Sequence, residues 1–442
     1  MKWIVGLLVL CVLILLHELG HFIAAKKAGV FVEEFAIGMG PRIFSKVSKK
    51  SGTRYSLRLV PVGGFCAMKG EAHKLDDDGK EIVISDADAF SNATVWKRMG
   101  IVSAGVLVNL LLGLLLSFVC VMAFGHDTPL VTDVTPTAQS AGLQEGDEVI
   151  RINDTSIGSS HELYFYQWYT MNDHPETMDV TVLRDGQELD ITYPTNKVLK
   201  YGFGISTGVN DDGELVIMQF LDESALSGKG PEPGDCIVQI RDVRASSDYT
   251  LSDYLDDEPL TDEAVFIVYR HEDTEKEITI EPVSVESEEF GFGYSSDRSD
   301  SDNLLKDTWS TFRYQVVSTG KSLSGLVTGK FGIRDLAGPV SIMDTIGSSS
   351  SAIAEASTAD AKVTAGAEFL MLIIMLTVNL GILNLLPIPG LDGGHLVFLI
   401  IEAVRKKPVS VKIQMGLQAA GMLCLLTLMS VVLIKDFYQM LF

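Results

Sequence analysis

The chain has 442 residues, too many for one ordinary domain, and its mean hydropathy of +0.24 coexists with 21% charged residues. The formal net charge of -23 is concentrated: Asp127 to Asp302 hold 39 acidic residues against 10 basic ones, and the rest of the chain is net basic. An acidic polar module between apolar, basic flanks excludes nucleic-acid binding, which needs a positive face. The cysteines (Cys11, Cys66, Cys120, Cys236 and Cys424) are odd in number and form no CxxC, which excludes a disulfide framework and a thiolate metal site.

The first element is an apolar run from Trp3 to Ala25, long enough to cross a bilayer, which takes about 20 apolar residues. Lys2 ahead of an apolar core also resembles a secretory signal. The run is long for that, however, and it carries His17, Glu18 and His21. His17-Glu18-Leu19-Gly20-His21 is an HExxH motif. On a helix, residues i and i+4 share a face, so both imidazoles can reach one zinc ion, and Glu18 stands beside them as a candidate base for an attacking water. Charged groups at mid-span cost about 2.5–3.5 kcal/mol each on insertion scales, so they need a function or a partner there.

Lys26 and Lys27 follow the span, and Arg42, Lys46, Lys49, Lys50, Arg54 and Arg58 come soon after. Tyr55, Leu57 and Leu59 alternate with Ser56, Arg58 and Val60, a partial strand pattern that Pro61 and the Gly63-Gly64 pair turn back. Such a hairpin is either an ordinary cytoplasmic one resting on the membrane, or one dipping toward His17 and His21. In the second case an unwound substrate strand could pair with its edge, which makes Leu57, Leu59, Gly63 and Gly64 candidate substrate-binding residues.

A second span runs from Ile101 to Phe124, and the acidic module then contains an internal repeat. Gly146-Asp147-Glu148-Val149-Ile150 parallels Gly234-Asp235-Cys236-Ile237-Val238, and Tyr201-Gly202-Phe203-Gly204 parallels Phe290-Gly291-Phe292-Gly293. Each unit reads as a small β-rich domain. Beyond them Leu304, Leu305, Trp309, Phe312, Val316, Val317, Leu323 and Val327 recur at helical spacing and predict an amphipathic helix at the outer interface.

The third span, Phe369 to Ile401, is overlong and is broken by Pro387, Pro389 and a glycine cluster. Broken backbone at membrane depth is tolerated where it is buried in protein or lines a cavity. Asp392 is the carboxylate of this break and suits zinc, with His395 as a competing third ligand. Asn384 reads either as a helix-packing amide or as a group holding a substrate carbonyl. Arg405, Lys406, Lys407 and Lys412 precede a fourth span, Ile413 to Ile434. Both basic connections should be cytoplasmic, which leaves both termini and the acidic module outside.

HExxH in the first span together with Asn384-x-x-Pro387-x-Pro389-x-Leu391-Asp392-Gly393 in the third resembles the signature of site-2 proteases. Two outer domains between spans two and three, the first carrying Ala141-Gly142-Leu143-Gln144-Glu145-Gly146-Asp147, look like the PDZ-bearing, RseP-like bacterial branch. The resemblance implies His17, His21 and Asp392 as zinc ligands, Glu18 as catalytic base, Asn384 as a substrate-positioning residue, and Arg58–Phe65 as a re-entrant hairpin. The expected fold is a polytopic α-helical membrane protein with four transmembrane helices, that hairpin, and two inserted extracytoplasmic PDZ-like α+β domains. Expected boundaries are a membrane part over 1–126, PDZ-like domains over 127–199 and 200–289, an interfacial segment over 290–345 and a second membrane part over 346–442.

The implied activity is intramembrane zinc proteolysis of single-pass membrane proteins, such as anti-sigma factors or remnant signal peptides, in a bacterial cytoplasmic membrane. Peptide termini or unfolded segments would be bound at the PDZ-like domains. The alternatives are a catalytically silent PDZ scaffold and a zinc-dependent transporter.

Overall fold

Long runs of Leu, Ile, Val and Ala carry few side chains that compete for backbone hydrogen bonds, so they wind into helices that satisfy every peptide group internally. The computed structural model describes residues 2–71, 86–170, 176–210, 214–220, 224–245, 251–271, 274–295, 298–301, 303–332 and 336–441. Among them ten α-helices follow in order: α1 (Lys2–Ala28), α2 (Val95–Phe124), α3 (Pro136–Ser140), α4 (Ser160–Thr170), α5 (Leu251–Asp257), α6 (Leu304–Thr328), α7 (Pro339–Glu355), α8 (Ala359–Leu385), α9 (Asp392–Arg405) and α10 (Val411–Leu441).

Four helices are long and apolar enough to cross a bilayer: Lys2–Ala28, Val95–Phe124, Ala361–Leu385 and Val411–Phe437. The number agrees with the sequence, but the third span does not run through to residue 401. It stops at Leu385, and α9 starts afresh at Asp392. Pro387 and Pro389 have no N–H to continue a helix, and Gly390 turns the chain at φ +101°. Gly393 and Gly394 sit where a Cβ would collide with the carbonyls of Leu385, Leu386 and Ile388, so only glycine lets α9 begin against the break.

Between α1 and α2 lie two long strands, β1 (Val32–Val47) and β2 (Arg54–Met68). They bulge repeatedly and fold into a sheet of four segments. Residues 34–37 face both 54–57 and 64–67, and residues 42–47 face 54–58. The base of this hairpin packs its Val32 and Met68 in one core with Ala25, and Phe35 on Phe22. Its tip reaches Cys11, whose thiol donates to the Pro61 carbonyl. Ala25 comes fourteen residues after Cys11 on the helix, so the hairpin lies along about 21 Å of α1.

Glu34 staples the sheet. Its buried carboxylate accepts from Arg42 at 2.5 and 3.1 Å, from Arg58 at 2.8 Å and from Ser56 at 2.5 Å. The Arg42 guanidinium and the other donors hold its pKa down at about 2, against an ordinary 4.5. A depressed carboxylate stabilises the fold above its unfolded pKa and loses that contribution as pH falls through the folded one. The melting temperature of wild type should therefore exceed that of Glu34→Gln at pH 7, and the gap should close as pH falls from 4.5 toward 2.

Residues 129–295 form a second compact unit containing two hydrophobic cores. The first core joins Leu143, Val149, Leu163 and Val180 to Phe290 and Phe292, and strand Phe292–Tyr294 pairs with Val131–Val134. The second core is built around Leu215, Ile237, Tyr254 and Ile267. Strands Asn196–Gly202 and Val283–Glu289 pair where the chain leaves the first lobe and returns to it. The two lobes are thus nested, in contrast to the tandem arrangement over 127–199 and 200–289 expected from the repeat. The repeat spacing could not reveal this, because Phe290 and Phe292 close the first lobe from beyond the second.

The segment at 304–328 is helical as expected, but α6 buries its polar face. Thr308, Thr311, Gln315 and Thr319 are buried, while Leu305, Trp309 and Val327 are 75%, 57% and 89% exposed. Thr319 donates to Asn379 of α8 at 2.5 Å, and Phe312 joins the core of α2 and α8. An apolar outer face on a helix packed against two membrane-length helices suits lipid.

Candidate metal centre

His17 and His21 lie one turn apart on the buried face of α1, 5% and 7% exposed. Asp392 opens α9, directly after the proline break. His17 Nε2 and His21 Nε2 are 3.2 Å apart, and Asp392 Oδ2 lies 3.0 Å from the first and 3.2 Å from the second. One ligand atom from each falls within 4.8 Å of the others, and this is the one such triad among the described residues. Tetrahedral zinc with bonds of about 2.0–2.1 Å separates its ligands by about 3.3 Å, so the spacing fits.

The far sides of the rings fix the tautomers. His21 Nδ1 donates to the Ile101 carbonyl at 2.9 Å, which leaves Nε2 bare toward the cluster. His17 Nδ1 lies 3.2 Å from the Asn109 amide, and Asn109 is fully buried with its Oδ1 otherwise unpartnered among the described residues. When His17 ligates through Nε2 its Nδ1 carries the proton, and the amide oxygen of Asn109 is the acceptor it requires; amide orientation follows from such a network.

Gly105 on α2 supplies the space. A Cβ there would overlap His21 Nε2 and lie 2.7–2.8 Å from the His17 ring. Gly20 of α1 in turn faces the Ala104 carbonyl, where a Cβ would sit at 2.6 Å. Two glycines thus let α1 and α2 approach closely enough to enclose the cluster.

Glu18 is half-buried and points toward β2: its Cγ lies near Gly64, and the Cys66 backbone amide faces its carboxylate. Residues 64–67 pair with 34–37 on one side only among the described residues, so the free edge of the sheet runs past Glu18. Leu57, in contrast, faces Ile37 on one side and Phe44 on the other and offers no edge. Leu59 is 60% exposed, and Gly63 adopts φ +80° just before the edge begins. Asn384 is half-buried in the last turn of α8, outside the ring of residues lining the chamber. His395 lines the chamber one turn beyond Asp392 but is held by Gln418 of α10 at 2.8 Å and does not join the triad.

Sequence reading missed Gly105, Asn109 and the Ile101 carbonyl. One signal was present: Asn109 is an amide inside an otherwise apolar span, and such a residue needs a partner.

Asp392→Asn replaces an anionic ligand by a neutral amide. Zinc affinity should fall by at least about tenfold, measured by competition with a chelator, since even outer partners of a metal site contribute about 10–100-fold. Unchanged affinity would remove Asp392 from the ligand set and promote His395.

Fold and site together define a membrane metalloprotease. The profile of Peptidase family M50 matches residues 5–428. The chain is 27% identical to the regulator of sigma-E protease RseP of Salmonella typhimurium, over 98% of both chains. It is also 27% identical to the zinc metalloprotease RasP of Bacillus licheniformis, over 98% of both chains, and to a putative zinc metalloprotease of Clostridium acetobutylicum, over 98% of this chain and 96% of that one. The chain belongs to peptidase family M50, the site-2 proteases.

Proposed function

We propose that this chain cuts peptide bonds within the transmembrane segments of membrane-anchored substrates, with His17, His21 and Asp392 holding zinc and Glu18 as general base. The observation that carries this reading is the convergence of three ligand atoms from α1 and α9, with Glu18 facing a strand, Gly64–Met68, that pairs on one side only among the described residues. Zinc, when bound, supplies a Lewis acid that lowers the pKa of water and polarises a carbonyl.

The remaining steps belong to the chain's own residues. A helical substrate hides its peptide bonds in i→i−4 hydrogen bonds, so it must unwind before attack. The edge at Gly64–Met68 offers the unwound segment a strand partner and holds it extended beside Glu18. Glu18 takes a proton from the attacking water and delivers it to the leaving amine. Asn384, half-buried in the last turn of α8, is suited to hold a substrate carbonyl. The basic connections after α1 and after α9 favour a cytoplasmic hairpin, with both termini and residues 129–295 outside. The nested lobes, which we read as PDZ-like, would then screen the substrate's outer part for peptide termini or unfolded segments. Anti-sigma factors and remnant signal peptides are the substrate classes we favour, in a bacterial cytoplasmic membrane.

The test is reconstitution of the zinc-loaded protein in liposomes with a single-span substrate, reading product masses. Cuts inside the span support the reading, and cuts confined to soluble segments refute it. The edge has its own check. Proline at Cys66 or Ala67 removes a backbone donor and disfavours the strand, so cleavage should fall about tenfold or more with zinc retained, whereas proline at Leu59 should matter less. Equal rates for all three variants would exclude the edge as the substrate clamp.

A further inference from the structure

The free edge of β2 ends beside a carboxylate that the hydrolysis does not use. Period-two alternation places the backbone N–H groups of Gly64, Cys66 and Met68 on one side of the strand. That of Cys66 faces Glu18, and that of Met68 donates to Glu71 Oε2 at 3.1 Å. Glu71 is half-buried and lines the metal chamber together with Glu18, His21 and Asp392. It also lines the adjoining cavity, whose wall includes Arg98, Glu402 and Gln414. Arg98 is already engaged, by Glu402 at 2.5 Å and by the Ala93 carbonyl at 3.1 Å. Among the described residues the Met68 amide is the one hydrogen-bond donor to Glu71. Burial pushes the Glu71 carboxyl up to about 7. A carboxylate drawn into such a chamber is costly to keep ionised, and a cation brought alongside it offsets that cost.

We propose that Glu71 is a specificity-determining residue that receives a lysine or arginine of the substrate on the cytoplasmic side of the scissile bond. This rests on the protease reading above and deepens it by naming a substrate feature.

The geometry sets the distance. Cys66 marks the level of the catalytic base, and Met68 lies two residues further, about 6.6–6.8 Å along the strand. A substrate strand paired with this edge advances at the same rate, so a side chain about two residues past the one level with Cys66 arrives at Glu71. Its backbone carbonyl can take the Met68 N–H, which releases Glu71 to pair with the incoming cation. The direction is set by packing: the Met68 end of the edge shares a core with Ala25, next to Lys26 and Lys27. That is the basic end of α1, and membrane spans in general carry Lys and Arg at their cytoplasmic flank.

The experiment uses full-length, zinc-loaded protein in liposomes and a single-span substrate. Lys, Gln or Glu is placed in turn at each of the four positions on the cytoplasmic side of the cut. For wild type, one position should prefer Lys over Gln by about tenfold in kcat/KM. In Glu71→Gln that preference should disappear, and in Glu71→Lys the same position should prefer Glu. A flat charge profile in wild type overturns the proposal, as does a Lys preference that persists in Glu71→Gln. If a Glu71 variant fails to fold, the wild-type scan and Glu71→Asp, which should keep the preference, still decide. Both of those overturning results leave wild-type cleavage intact and therefore spare the protease reading. A zinc-loaded wild type that cuts none of the substrates removes both.

Discussion

Glu18→Gln should abolish cleavage while leaving zinc content unchanged. The amide has nearly the shape of the carboxylate but cannot accept the water's proton, and general-base catalysis contributes about 10²–10⁴-fold. Glu18 lies outside the triad of ligand atoms, so the metal site should survive the change. Single-turnover cleavage of a membrane-anchored substrate, with zinc measured by elemental analysis on the same sample, checks both halves. Cleavage at the wild-type rate would remove Glu18 from the mechanism. An inactive variant that has also lost its zinc would give Glu18 a structural part in the site. The retained-zinc, no-turnover outcome also separates a protease from a silent scaffold, in which the substitution changes nothing measurable.

The second large effect is expected at a residue with no functional side chain. In Gly105→Ala the added methyl group would overlap His21 Nε2 and crowd the His17 ring at 2.7–2.8 Å. Either α2 retreats from α1, or the imidazoles turn away from Asp392; both disturb the spacing of the three ligand atoms. Zinc affinity should fall by about 10–100-fold or more, the range seen when support around a metal site is lost, and cleavage with it. Gly100→Ala, on the same helix with open space around it, should leave zinc binding unchanged. Equal metal affinity in both variants would show that α1 and α2 have slack at this crossing. Asn109→Ala belongs to the same test, since it removes the acceptor for His17 Nδ1 without adding bulk.

Much of the fold was legible because membrane spans announce themselves locally. About 20 apolar residues in a row have few soluble alternatives, and four such runs gave four helices. The HExxH pair was legible for a related reason, since i and i+4 spacing fixes a shared helix face whatever surrounds it. The end of the third span was not. Pro387, Pro389 and the glycines marked a break, but hydropathy continues past it to Ile401, whereas α8 stops at Leu385 and α9 starts afresh at Asp392. The hairpin was partly legible: alternation marked Tyr55–Val60 as a strand, but not that this strand would be interior and Gly64–Met68 the free edge.

The sequence by itself determined the chemistry available to this protein: two imidazoles on one helix face with a carboxylate beside them, one more carboxylate in a broken span, and a polar module between membrane helices. Only the tertiary structure brought Asp392 to the imidazoles and kept away His395, the competing third ligand three residues on, because that choice depends on how α9 is placed. It brought Asp392 Oδ2 to 3.0 Å from His17 and left His395 with Gln418. It also decided that Gly105 and Asn109 pack against the imidazole pair and that the two lobes of residues 129–295 nest. The physical reason is the same in each case. Spacing along one helix or strand is set by local geometry, whereas contacts between segments hundreds of residues apart are set by packing, which a single chain of letters does not display.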